Sequence, residues 1–220
     1  MNARQLFDVE LEELSAALIT MGAMATDSID KTIIAINTGN RKMAEMVYKG
    51  DDQIDDMEKI IEHRCLRLLL KQQPVASDLR KISTAIKMIT DIERIGDASS
   101  DIAEICMSIK NIPTGALLED ITKMAESART MVADSIKAYV NEDLDLAKKT
   151  IDDDDIVDDY FDAIKNYLAE QIRTSPEITE DLIDYLMIIK YLERIGDHAV
   201  NICEWVQFYK TGIHKNERIV

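Results

Sequence analysis

Glu193-Arg194-Ile195-Gly196-Asp197 repeats, letter for letter, the Glu93-Arg94-Ile95-Gly96-Asp97 that stands a hundred positions earlier. The likeness runs outward from both copies: Ile92, Ile102 and Glu104 around the first answer Leu192, Ile202 and Glu204 around the second. An identical charged pentapeptide with matched flanks makes the chain a tandem duplication. Its 220 residues divide into repeats at 1–112 and 113–220, each long enough for one three-helix unit.

Seven Gly and three Pro leave little room for β-turns, and Leu, Ile, Met, Ala, Lys, Glu and Asp dominate. The expected fold is all-α, two tandem three-helix bundles with six helices in total. A formal charge of −16 repels phosphate backbones and anionic lipid, which argues against nucleic acid and electrostatic membrane docking and favours cations or basic protein surfaces. No stretch approaches about 18 consecutive apolar residues, and no basic region precedes an apolar run at the start, so a cytoplasmic protein without membrane insertion is expected. Cys65, Cys106 and Cys203 form no C-x-x-C pair and are expected to be buried small hydrophobes.

Periodicity places the helices. Leu11, Leu14, Leu18, Met21, Ala25, Ile29, Ile33 and Ile36 recur at helical steps over about 5–37, and Thr38-Gly39-Asn40 ends that helix. A short piece through Val47 is expected, with a break at Gly50. A long second helix then runs on seam residues Ile54, Met57, Ile61, Cys65 and Leu68 until Pro74 stops it. The third helix starts at Ser77 and Asp78 and carries Leu79, Ile82, Ile86 and Ile89 into the first pentapeptide. After the link Asn111–Gly115, helix four spans about 116–140 and helix five about 142–173 on Val157, Phe161, Ile164 and Leu168. Helix six begins at Ser175-Pro176.

The acids are not scattered over solvent faces. At about 100° per residue, Glu93 and Asp97 continue the face that Leu79 to Ile89 began. In the second helix Asp51, Asp55, Glu58 and Glu62 form a stripe beside the apolar seam, and Asp154 and Asp158 answer Asp51 and Asp55 in the second repeat. Acids four apart on a helix point the same way, so Glu93 with Asp97 can clasp a cation that a facing Asp51 with Asp55 completes. Glu193, Asp197, Asp154 and Asp158 would do the same in the second repeat. An all-carboxylate set suits hard cations such as Mg, Ca, Mn or oxidised iron. Spacing alone fits an ordinary solvated acidic face equally well; the duplication and the continuity of the face favour metal. Gly96, inside a helix where it costs about 1 kcal/mol relative to Ala, signals a close approach to its backbone. Arg94 and Arg194 can neutralise part of the stripe's charge but sit about a quarter turn off it, and the Asp152–Asp155 run reads first as a negatively charged helix start.

No catalytic constellation is visible, so the chain is not expected to be an enzyme. The enzymatic alternative, a metal-storage or di-metal carboxylate protein of helical-bundle type, needs Glu-x-x-His pairs. None of His63, His198 and His214 stands three residues after a Glu. His198, next to Asp197, points about 100° away from it and reads as a packing or surface residue.

The doubled pentapeptide, the stretch Gln73-Pro74-Val75-Ala76-Ser77-Asp78-Leu79-Arg80 and the twin Asp-x-x-x-Asp helices together resemble the PhoU family over nearly the whole chain. The resemblance implies an accessory protein of the phosphate-specific ABC transporter and negative regulator of the phosphate-starvation response, cytoplasmic and often a homodimer. It implies contacts with the transporter's ATPase subunit and the phosphate-sensing histidine kinase, and metal ions on the acidic motifs. Multinuclear iron is one candidate, with Mg, Mn, Ca or Zn the others. Carried over, the implied ligands are Asp51, Asp55, Glu93, Asp97, Asp154, Asp158, Glu193 and Asp197. Asp101 joins them where the family commonly has Asn, as the second repeat does at Asn201, making the first site more acidic.

Overall fold

The computed structural model describes residues 3–71, 75–214 and 217–218. The first repeat forms α1 (Ala3–Thr38), α2 (Arg41–Lys71) and α3 (Ala76–Ser108). The second forms α4 (Ala116–Asn141), α5 (Leu144–Asp152), α6 (Asp154–Thr174) and α7 (Thr179–Thr211). Because α5 and α6 together make one arm, the fold is six helical arms in two three-helix bundles. A 3-10 turn at Pro176–Ile178 leads into α7. The two-residue strands β1 (Ile213–His214) and β2 (Glu217–Arg218) pair antiparallel after it, the only strands among the described residues.

The periodic apolar positions make the core. Leu14, Leu18, Met21 and Ala25 of α1, Ile54, Ile61 and Cys65 of α2, Ile82 and Ile89 of α3, and Val157, Ile164 and Leu168 of α6 are all buried. All three cysteines are free and buried, and burial pushes each thiol up to about 12. Turn chemistry ends the helices as their residues dictate. Gly39 takes φ +60, and the Asn40 side chain accepts from the Met43 N–H at 3.2 Å to start α2. Asp143 caps α5 by accepting from the Asp145 and Leu146 amides at 3.1 and 2.9 Å.

The bundles meet through α3 on α7 and α1 on α4. Asn201 Nδ2 of α7 donates to Asp91 Oδ1 of α3 at 3.2 Å, and His198 Nδ1 lies 2.9 Å from the same oxygen. A hundred positions on, the pair recurs with the helices exchanged: the Tyr191 hydroxyl of α7 bonds Asp101 of α3. Asp91 and Asn201, like Asp101 and Tyr191, lie equally far from Gly96 and Gly196. The helices are therefore antiparallel and their contact is centred on the two pentapeptides. Arg129 of α4 grips Asp30 of α1 through two nitrogens, at 2.9 and 3.1 Å. At the bundle ends, buried Asp78 accepts from Arg4 at 2.6 and 3.1 Å, and Asp181 accepts from Asn111 Nδ2 at 2.6 Å. Each third helix thereby pins the chain at or near the start of its own first helix.

Two expectations about the second arms are corrected. Gly50 does not break the chain: α2 runs through it from Arg41 to Lys71. Helix five is broken instead, at Asp153, where the Ile156 N–H turns back three residues to Asp153 O at 3.1 Å. The reason is local. The acids Asp153, Asp154 and Asp155 favour a helix N-terminus, where free N–H groups and the dipole stabilise negative charge. Gly50 precedes only two acids, Asp51 and Asp52, where the second arm has the run Asp152–Asp155, and one glycine within a helix costs about 1 kcal/mol. Pro74, expected to stop the second helix, lies outside the described residues.

A side chain added at Gly50 would meet nothing within 4 Å. Gly50→Ala is therefore expected to stabilise the fold by about 1 kcal/mol, raising the thermal midpoint by roughly 2–4 °C. A lowered midpoint in a melting experiment would mean that α2 needs a weak point there.

Candidate metal centre

Packing α2 against α3 sets Asp51 over the pentapeptide glycine. A Cβ on Gly96 would lie 3.1 Å from Asp51 Oδ1 and 3.0 Å from Ile54 Cδ1. The second repeat reproduces the arrangement, with a Gly196 Cβ 2.9 Å from Asp154 Oδ1 and 3.5 Å from Val157 Cγ1. The glycine in the middle of each motif is thus the seat of the facing helix's first acid. It lets a carboxylate approach closer to the helix than any side chain would permit.

Around that seat, Asp51, Asp55 and Asp97 each offer a carboxylate oxygen, and the three lie within 4.8 Å of one another. Asp51 Oδ1, Asp55 Oδ1 and Glu93 Oε2 are buried and accept no hydrogen bond, the last having the Arg94 guanidinium 3.4 Å away. Buried polar atoms are ordinarily satisfied, so the two unpartnered oxygens of Asp51 and Asp55 in one place ask for a donor or a cation. Electrostatics agrees. Burial, then the charges of Asp97 and Asp55, pushes the Asp51 carboxyl up to about 6, against the pull of a bond to Ser100. Burial and Asp97 lift Glu93 to about 7 despite Arg94. Glu58 is raised by burial while bonded to Thr90. In the second repeat burial and then Asp158, Asp197 and Glu193 lift Asp154 to about 6. Asp158 and Asp197 are raised too, by burial first and Glu193 second.

The expected ligands divide as follows. Asp51, Asp55 and Asp97 come together, with Glu93 beside them. Asp154, Asp158, Glu193 and Asp197 share one neighbourhood, but form no trio as close as the first among the described residues. Asp101 accepts from Tyr191 across the bundle contact and is not part of the trio. His198 is turned to Asp91. Arg94, a quarter turn off the stripe, does neutralise part of it: its Nη1 donates to Asp97 Oδ2 at 2.7 Å, and its Nε is 3.4 Å from Glu93 Oε2. A long flexible stem reaches one turn along the helix whatever direction its Cα sets. Arg194 does differ, stacking over Tyr191 at 6.0 Å, while Lys190 takes its role by donating to Glu193 at 2.5 Å. Ser100 and Lys190 were not singled out by the acidic pattern, since neither is a carboxylate.

Oxygen-only donors, orphaned buried acceptors and carboxyls raised by one another fit a hard cation. Among the described residues no imidazole or thiol joins the trio.

The PhoU domain profile matches this chain twice, over residues 18–106 and 121–206. A phosphate-specific transport system accessory protein PhoU homolog of Clostridium acetobutylicum is 39% identical across 95% of this chain and 96% of its own. PhoU of Escherichia coli is 30% identical across 94% of this chain and 86% of its own. The crystal structure of PhoU from Pseudomonas aeruginosa superposes with a TM-score of 0.90 at 30% identity, covering 94% of this chain and all of that one. That of the phosphate transport system regulatory protein PhoU from Streptococcus pneumoniae gives 0.88 at 28% identity, covering 97% and 99%. With its duplicated pentapeptide, paired bundles and family match over most of its length, the chain belongs to the PhoU family.

Proposed function

We propose that this protein is a cytoplasmic accessory regulator of a phosphate-specific ABC transporter that holds the phosphate-starvation response off while phosphate is plentiful, and that it binds hard metal ions at the two acidic seats. The observation that carries the reading is the twofold glycine seat with its facing carboxylates, in a chain whose relatives are named accessory proteins of phosphate transport. Asp51, Asp55, Asp97 and Glu93 would hold the ion of the first repeat. Asp154, Asp158, Glu193 and Asp197 would hold that of the second. A bound cation supplies charge neutralisation between the second and third arms of each bundle. Ile54 and Val157, buried beside Asp51 and Asp154, back each seat on its core side.

A regulator of this kind acts by contact. No helix among the described residues is long and apolar enough to cross a membrane, so the chain meets its transporter from outside the bilayer. Its strong acidity favours basic patches on the ATPase subunit and on the phosphate-sensing kinase. We assign the working form as a homodimer, by analogy with the family. Pull-down from cytoplasmic membranes at low and high phosphate is expected to retain the ATPase or the kinase, less so as salt rises. Deletion of the gene is expected to switch phosphate-starvation genes on in rich medium. Retention of neither partner at any phosphate level, with those genes silent after deletion, would remove the regulatory reading. Oxidase turnover by the metal-loaded protein would favour the di-metal enzyme instead.

A further inference from the structure

The two seats are built on one plan, but the residues around them are not the same. Asp51 answers Asp154, and in that register Glu58 of α2 answers Phe161 of α6. In the pentapeptide register Thr90 answers Lys190 and Asp101 answers Asn201. Because Arg94 serves the first motif as Lys190 serves the second, and Asp101 bonds Tyr191 at the bundle contact, the difference at the seats themselves is the one carboxylate of Glu58.

The contacts place two of the exchanged pairs, Glu58 with Phe161 and Thr90 with Lys190, at the seats. Thr90 Oγ1 donates to Glu58 Oε1 at 3.4 Å, and Glu58 is close enough for its charge to act on Glu93. At the matching place in the second repeat Lys190 Nζ lies 5.4 Å above the Phe161 ring and donates to Glu193. An ammonium and an aromatic face thus stand where the first seat has a hydroxyl and a carboxylate. The reverse exchange, Lys59 for Asp162, does not cancel this: each is engaged in an exposed ion pair of its own, Lys59 with Asp56 and Asp162 with Lys165.

Geometry gives a second, independent line. The close carboxylate trio is in the first repeat, and so are the unpartnered buried oxygens of Asp51 and Asp55. Asp51 is further held by Ser100, where the second repeat has Val200. Each seat has one basic side chain on its motif, Arg94 on Asp97 and Lys190 on Glu193, but only the first has a further acid, Glu58, to outweigh it.

Resting on the cation reading above, we propose that the sites are unequal by construction. The first, with Glu58 as an additional acid to offset Arg94, fills first and prefers ions of higher charge, while at the second Lys190 acts as a tethered competitor with no such acid to offset it. A unit charge a few ångströms from a site changes the affinity of a multivalent ion by about tenfold or more.

The test is calorimetric titration of the chelator-treated full chain with Mn²⁺ and with Tb³⁺. Wild type is expected to show two binding events at least tenfold apart, with the gap wider for Tb³⁺. Lys190→Thr, a change at a half-exposed side chain, should tighten the weaker event about tenfold and leave the stronger one alone. Glu58→Gln should weaken the stronger event selectively. Circular dichroism confirms that both variants are folded. Equal affinities in wild type, or a Lys190→Thr chain with an unchanged weaker event, would overturn the inequality while leaving the cation reading in place. Absence of binding at both sites would overturn the two together.

Discussion

Hard cations added to chelator-treated protein are expected to raise its thermal midpoint by on the order of 10–20 °C. A ligand that binds only the native state adds about 2.7 kcal/mol per site at a hundred times its dissociation constant. Two filled sites then add about 5 kcal/mol, and a chain of this length gains roughly 2–4 °C per kcal/mol. The physical origin is the like-charge crowding that lifts Asp51 and Asp154 to about 6 and Glu93 to about 7. A midpoint unmoved by any divalent or trivalent ion would reduce the stripes to solvated acidic faces.

The same crowding fixes the pH response of the metal-free protein. These carboxyls titrate higher in the native state than in the unfolded chain, where acids ionise near 4. Between about pH 4 and 7 the native state therefore binds more protons, so stability is greatest at the acidic end and is lost as pH rises through 6 to 7. Asp78, held low by Arg4, and Glu142, held low by Lys210, work in the opposite sense but only at lower pH. With cation present the trend between pH 5 and 7.5 should reverse, because protons then compete with the ion for the same oxygens.

Gly96→Val is the second large effect. Valine would force a branched side chain into a place where even a Cβ lies 3.0 Å from Ile54 Cδ1 and 3.1 Å from Asp51 Oδ1. Overpacking of this kind costs about 1–3 kcal/mol, and α2 must shift away from α3 to relieve it. Both the midpoint and the cation-dependent part of it should fall, the second because Asp51 leaves its seat. Gly196→Val should do the same to Asp154. Chelated and loaded melts of the two variants, with Gly50→Ala as the glycine that nothing crowds, separate the seat from a general loss of helix stability. If Gly96→Val keeps the full cation-dependent shift, the glycine is a packing device only.

Much of this was legible in the residues. The doubled pentapeptide announced the repeat, apolar spacing placed the arms, and a glycine inside a helical pattern announced a close approach. That the approaching group is Asp51 was not: the acid stripe of the second helix was legible as a facing pair for Glu93 and Asp97, and the seating of its first acid on the glycine follows only from how α2 packs on α3. What could not be read was set by competition between nearly balanced local preferences or by side-chain reach. Gly50 and Asp153 occupy matching positions, and whether an arm bends there depends on a difference of about 1 kcal/mol. Arg94 and Lys190 neutralise their motifs through long stems whose end points no periodicity gives. The bond from Asn201 to Asp91, and its partner between Tyr191 and Asp101, exist only because α3 and α7 cross at their glycines, which is a property of two bundles meeting.

The central claim is that each repeat carries its own metal seat, and elemental analysis of protein purified without chelator tests it most directly. Wild type should be compared with Glu93→Ala/Asp97→Ala, Glu193→Ala/Asp197→Ala and a control off the stripe, Lys87→Ala. Each double variant is expected to lose one repeat's share of the metal, about half at saturation, and to keep the other, because each seat draws its carboxylates from its own repeat; Lys87→Ala should keep all of it. Loss of all metal, or of none, in either double variant would contradict the account.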